Sequence, residues 1–304
     1  MQHSRPIVLS ILSGMSLAVI GVAFGLGQKA GVQPIEIMLV STGVGSLVFA
    51  GKQFHRRQPA PIPLRVWWWG IAAGLSQYLT IRGIGLALQL GPLSPVWCAT
   101  SMGFIPVSFY SAIRYKERLT LLKLVALAAG VGCVVVSALT NSHGGATLAS
   151  LASTLGYGAV LVAALMLNSL NSIALKTLGM TAGPAQPVQT SRDNNLFLPI
   201  MYTTCFLAAL ADLLWHHNPN LAVSAMVGFG IVAAFGSIIG MALVAKCASA
   251  PAGVVFTLSG ITGILTATLV SVLFLGEHAG IGWYGTIGLG IVSILCGALS
   301  SDSN

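Results

Sequence analysis

Few residues of this 304-residue chain can do chemistry, since it holds 14 lysines and arginines, 6 acids and 7% charged residues overall. Arg82 stands out as a cation inside a long apolar stretch. A guanidinium presents a planar fork that matches a carboxylate, so Arg82 is a candidate for holding an anionic group. Tyr78, Arg82, Gly85 and Gln89 recur at i, i+4, i+7 and i+11 and would share one helix face. Asn168, Asn171 and Ser172, with Lys176, make a second polar face; Trp97 and Ser101, with Phe104 and Ser108, a third; Ser259 and Thr262, with Thr257 and Thr266, a fourth. Amides, hydroxyls and an indole suit reversible binding of a small solute. Bond-breaking signatures are absent from the sequence: no phosphate-binding glycine loop with its lysine, no His-Glu-x-x-His and no paired cysteines. His216 and His217 are adjacent and point to different faces of a helix, which argues against a shared metal site, and no cofactor is implied.

The elements that must position these groups follow from composition. Apolar residues make up 55% of the chain and the mean hydropathy is +0.88. That is far from the roughly 25% charged residues of an ordinary soluble domain. A helix needs about 20 apolar residues to cross a hydrocarbon core about 30 Å thick. Ten such runs occur, at 7–28, 35–50, 66–88, 95–113, 119–139, 151–175, 196–214, 221–245, 254–275 and 281–299. They do not alternate as membrane strands do, so the expected class is an all-α integral membrane protein. The first run is too long for a signal peptide and reads as the first span. Cys98, Cys133, Cys205, Cys247 and Cys296 stand singly and read as small packing residues. Gly21 and Gly25, Gly70 and Gly74, and Gly236 and Gly240 are spaced by four, as close helix packing in lipid requires.

The formal charge of +8 raises nucleic acid as a partner. Location decides against it. With the N-terminus inside, 12 of the 14 basic residues fall on inner loops or inner helix ends; the exceptions are Lys29, outside, and Arg82, within a span. The positive-inside rule then predicts both termini in the cytoplasm. Most loops are short, leaving no room for a soluble domain. The longer inner ones are 51–65 and 176–195, the second reading as a linker between halves. Lys29 and Lys176 are expected to snorkel to opposite interfaces.

Internal symmetry supports that division. Lys116-Glu117-Arg118-Leu119-Thr120 closes span four, with Gly130 following, and Gly276-Glu277-His278 closes span nine, with Gly290 following at the same spacing. Span one ends at Gln28-Lys29 and span six at Leu175-Lys176. Five spans per half is an odd number, so the second half must enter the membrane from the opposite side. The sequence thus predicts two inverted five-helix repeats, 1–140 and 141–304. Glu117 and Glu277 are expected to sit at the start of the following helix, where its dipole favours a carboxylate.

These features resemble the drug/metabolite transporter superfamily in its ten-span EamA-like branch, over nearly the whole chain. The resemblance rests on the two span-ending glutamates, the glycine-bearing span after each, and the small-residue openings Gly91-Pro92-Leu93-Ser94-Pro95 and Ala248-Ser249-Ala250-Pro251-Ala252. Lys116 stands where the pattern has glycine. The resemblance implies a secondary transporter that moves a small metabolite by alternating access; the short loops and the absence of a targeting segment point to a bacterial inner membrane, with an organellar membrane as the alternative. The resemblance also implies a central cavity lined mainly by spans three, four, eight and nine, which favours Tyr78, Arg82, Trp97 and Ser101. If transport is proton-linked, Asp212, Glu36 or Glu277 must carry the proton, since few other acids lie near membrane depth. For Arg82 two readings stand: a cavity wall selecting an anionic or amino-acid-like solute, or a structural ion pair with Asp212. The competing function classes are a non-transporting partner subunit and a lipid-modifying membrane protein.

Overall fold

A computed structural model describes residues 4–54, 62–90, 96–97, 100–118, 120–140, 148–181, 187–216, 222–276 and 281–299. Among them ten helices form: α1 (Ser4–Lys29), α2 (Pro34–Phe54), α3 (Leu64–Leu90), α4 (Phe104–Tyr115), α5 (Leu121–Thr140), α6 (Leu148–Thr181), α7 (Pro187–Trp215), α8 (Val223–Cys247), α9 (Ala252–Leu275) and α10 (Ile281–Leu299). No strand occurs among the described residues. Seven helices (α1, α2, α3, α6, α7, α8 and α9) are long and apolar enough to cross a membrane, and α5 and α10 carry shorter apolar stretches. Leu47, Ile113, Leu121 and Trp215 are largely exposed while Ser10, Ser13, Ser111 and Ser293 are fully buried. Apolar outside and small polar inside is the distribution that lipid, rather than water, tolerates.

Helix ends follow local chemistry. In α1, Ser10 and Ser16 donate to the carbonyls of Pro6 and Leu12, 2.7 and 2.8 Å, so hydroxyls are satisfied within the helix where water is scarce. The helix stops at Gly31, whose φ of 78° is in the left-handed region. Val32 N–H there bonds back to Gly27 and Gly31 N–H to Gln28, the pattern that closes orphan carbonyls. Pro34 then opens α2, and Glu36 reaches back to accept from Gln33 N–H at 2.9 Å, half of a capping box. Glu36 is thereby engaged as a cap.

Two expected boundaries are corrected. The run 95–113 is not one continuous helix: helical residues at 100–101 give way to a turn at 102–103 before α4 begins at Phe104. The break is stabilised from outside the segment, because Asn168 Nδ2 donates to Thr100 O at 2.8 Å. A carbonyl released from a helix at membrane depth needs such a donor. The stretch 176–195 is mostly helix: α6 continues to Thr181, and α7 starts at Pro187, a residue suited to a first turn. The linker contracts to 182–186, outside the described residues.

The major contacts come in matched sets. α1 lies against α8 and α9, and α6 against α3 and α4; α2 packs on α7 and α8, and α7 on α2 and α3; α4 meets α9 and α5 meets α10. Adding five to each helix number, with α1 following α10, maps these pairings onto one another, whereas the contact between α9 and α10 has no counterpart of similar extent between α4 and α5 among the described residues. Glycines let the backbones approach: a Cβ on Gly74 would lie 2.6 Å from Met201 O on α7, and one on Gly236 would lie 2.5 Å from Ser16 O on α1.

Candidate functional site

The helices enclose a central cavity of about 150 Å³. Residues of α1, α2, α3, α4, α6, α7, α8 and α9 line it, together with Trp97, Thr100, Ser101 and Gly103 of the broken segment. No charged side chain is among its described lining residues. Several of its polar groups are engaged: Asn171 Nδ2 donates to Gln77 Oε1, Tyr202 and Ser237 share a hydroxyl–hydroxyl bond, Ser259 donates to Ser13 at 3.3 Å, and Thr42, Thr80 and Thr100 donate to backbone carbonyls of their own segments. Two lining side chains keep a buried polar atom without a partner, Trp97 Nε1 and Asn171 Oδ1. The Trp97 ring is held against α1, where a Cβ on Gly21 would meet it at 2.7 Å.

Of the residues singled out from the sequence, Trp97, Ser101, Asn168, Asn171, Ser172 and Ser259 line this cavity. Thr262 is buried nearby with its hydroxyl unpartnered, outside the lining. Arg82 and Gln89 are placed elsewhere, in a separate pocket of about 160 Å³ with Gln28, Gln33 and Gly85. The physical reason is rotation about α3: the face on the cavity is Gln77, Thr80, Ile81 and Ile84, one residue away from the face Tyr78, Arg82, Gly85, Gln89.

Arg82 pairs instead with Asp212 of α7, Nη2 to Oδ1 at 3.1 Å. The Asp212 carboxylate is almost wholly buried and also meets His216 Nδ1 at 2.9 Å. Tyr78 hydrogen-bonds into the same cluster. The ion pair weighed for Arg82 from the sequence is present, and the residue also lines the smaller pocket. His217 lies outside the described residues.

A second ion pair lies at the other end of the cavity. Helices α3 and α6 run antiparallel, since Gln77 meets Asn171 while Gly83 faces Ala164. Lys176, following the lining residues Ser172 and Leu175, is therefore remote from Arg82. Lys176 does not snorkel: its side chain is fully buried, bonded to Glu117 Oε1 at 2.8 Å and to Ala250 O at 2.7 Å, with the Tyr115 ring 6.0 Å away. Glu117 Oε2 accepts from Ala252 N–H at 3.0 Å. Glu117 therefore caps α9, across the bundle, and not α5, the helix that follows it in sequence. One carboxylate ties the α4 end, α6 and the start of α9 together.

Backbone conformation explains the departure at Lys116. That residue ends α4 with φ 55°, in the left-handed region, and Gly276 after α9 has φ 70°. The two positions stand 160 residues apart and need the same turn, which glycine adopts freely and lysine does not. Glu277 and residues 91–95 lie outside the described residues.

Sequence reasoning missed Gln77, Thr100, Tyr202 and Ser237. A lone amide such as Gln77 in an apolar run was signal enough; the charge of Arg82 five residues on drew the face one position round.

No protein-family model matches the chain, and no curated protein matches it. Among solved structures, one described only as a crystal structure of a protein is similar over 99% of this chain and 98% of its own, with a TM-score of 0.68 at 18% identity. A likeness at that identity carries the fold alone.

Proposed function

We propose that the chain is a secondary transporter of the drug/metabolite kind, ten spans in two inverted five-helix halves, moving a small organic solute by alternating access. The observation that carries this reading is a largely apolar cavity with polar side chains interspersed and no charged one among its described lining residues, lined by helices of both proposed halves. The broken segment at 102–103 beside the cavity supports it, because irregular backbone at membrane depth is tolerated where it borders a site. The self-matching helix contacts and the shared left-handed turn at Lys116 and Gly276 support the inverted halves. Both termini are cytoplasmic in this reading, in a bacterial inner membrane, with Glu117 and Lys176 at the inner end and Arg82 and Asp212 at the outer end. The solute is small and uncharged rather than anionic, since no cation is among the described lining residues. If uptake is proton-linked, the candidate carriers are Asp212, Glu36 and Glu277; of these Asp212 is paired with Arg82 and His216, and Glu36 caps α2.

Alternating access requires the cavity to open to each side in turn. A cysteine at Ser101 in a cysteine-free background should react with an impermeant thiol reagent from either face of the membrane, more slowly when solute is bound. Reaction from one face only, under every condition, would contradict the proposal.

A further inference from the structure

The smaller pocket, of about 160 Å³, lies between α3 and the turn that joins α1 to α2. It shares only the buried Ile81 with the lining of the central cavity, so the two spaces are distinct. Its polar lining is Arg82 with three amides, Gln28, Gln33 and Gln89, and no acid is among its described lining residues. Gln28 Nε2 donates to Leu88 O at 3.2 Å and fixes the end of α1 to α3. The acids near this end are committed elsewhere: Glu36 is buried and accepts from Gln33 N–H, and Asp212 is buried on α7. The ion pair does not enclose Arg82. Its side chain is 37% exposed against 6% for Asp212, and Asp212 and Tyr78 offer three acceptor atoms to a guanidinium with five N–H donors. A cation partly removed from water gains from a second oxyanion, whose paired oxygens match the planar fork. A space of this size accepts a group of a few heavy atoms.

We propose that this pocket is a binding site for a small oxyanion group, a carboxylate or a phosphodiester, held by the Arg82 donors that Asp212 and Tyr78 leave over, with Gln33 and Gln89 as amide donors. The site is additional to the central cavity and does not depend on that cavity carrying a solute. The oxyanion belongs either to a free solute or to a lipid headgroup, because the exposed Leu86 lies in the same lining and opens it toward the membrane side.

Fluorine NMR line broadening of trifluoroacetate, against its uncharged counterpart trifluoroacetamide, tests the site on the full chain in phosphatidylcholine nanodiscs. Trifluoroacetate should broaden saturably, with trifluoroacetamide about tenfold or more weaker. Arg82→Gln should abolish the saturable broadening. Because that substitution also removes an ion pair, the exposed Gln89 supplies a second test. Gln89→Lys should tighten trifluoroacetate binding by about fivefold and Gln89→Glu should weaken it by about as much; loss of folding cannot mimic the gain. No saturable broadening, equal broadening by the amide, binding undiminished in a folded Arg82→Gln protein, or indifference to both charges at position 89 would each overturn the proposal. Native mass spectrometry from nanodiscs mixed with phosphatidylglycerol separates the two sources. Retention of one phosphatidylglycerol by the parent and not by Arg82→Gln supports a headgroup, and no preference for that lipid beside intact trifluoroacetate binding supports a free carboxylate.

Discussion

At the scale of single residues, Asp212 and Arg82 depend on one another. The carboxylate is buried and the guanidinium is partly exposed, so removing either leaves a charge with fewer partners in a poorly hydrated place. Arg82→Gln and Asp212→Asn should each lower stability by about 1–3 kcal/mol. Their thermal unfolding in detergent should respond alike, while solute binding in the folded fraction is retained because neither side chain lines the central cavity. Lys116 offers the opposite sign. Its left-handed φ costs a non-glycine residue about 1–2 kcal/mol, so Lys116→Gly should raise stability by about 0.5–1 kcal/mol after the loss of unfolded-chain restriction, read as a higher unfolding midpoint. A drop would show that the lysine side chain does more than tolerate the turn. Asn168, Asn171, Ser172, Trp97, Ser101 and Ser259 were legible in sequence because isolated polar or aromatic groups in apolar runs must face the interior. Arg82 misled because charge within a span signals burial without revealing the partner, and that partner lies 130 residues away on α7. Tyr202 and Ser237 went unread for a related reason: their hydrogen bond exists only once α7 and α8 are packed.

Helices were legible from runs of apolar residues, but their ends and breaks were not. The turn at 102–103 depends on an amide from α6, and the extension of α6 through Lys176 depends on Glu117 at the end of α4. Neither partner is local in sequence, so composition placed a loop where tertiary contacts maintain a helix. This knot of three elements has an asymmetric energetics. Removing Glu117 strands a fully buried ammonium and uncaps α9, whereas removing Lys176 leaves a partly exposed carboxylate that still accepts from Ala252 N–H. Glu117→Ala should therefore destabilise by about 3–5 kcal/mol, and Lys176→Met by less. The double variant should be more stable than Glu117→Ala, since the stranded charge is gone. Thermal unfolding of the three proteins tests this, and additive losses would contradict a coupled pair.

For the whole molecule, the proposed inverted arrangement draws on the helix pairings and on the sidedness of the basic residues in sequence. In the proposed arrangement the second half is inverted and position 192 is inside, so a single cysteine there should resist an impermeant reagent applied to intact cells and react once the membrane is opened. Labelling from outside would dismantle the inverted arrangement. What the cavity does is tested most directly by uptake. Purified protein in liposomes, given a mixture of uncharged, anionic and cationic ring-sized solutes, should let uncharged ones equilibrate faster than protein-free liposomes do. That excess rate should saturate with concentration and fall on Trp97→Phe. Indistinguishable entry of every solute with and without protein would contradict the account.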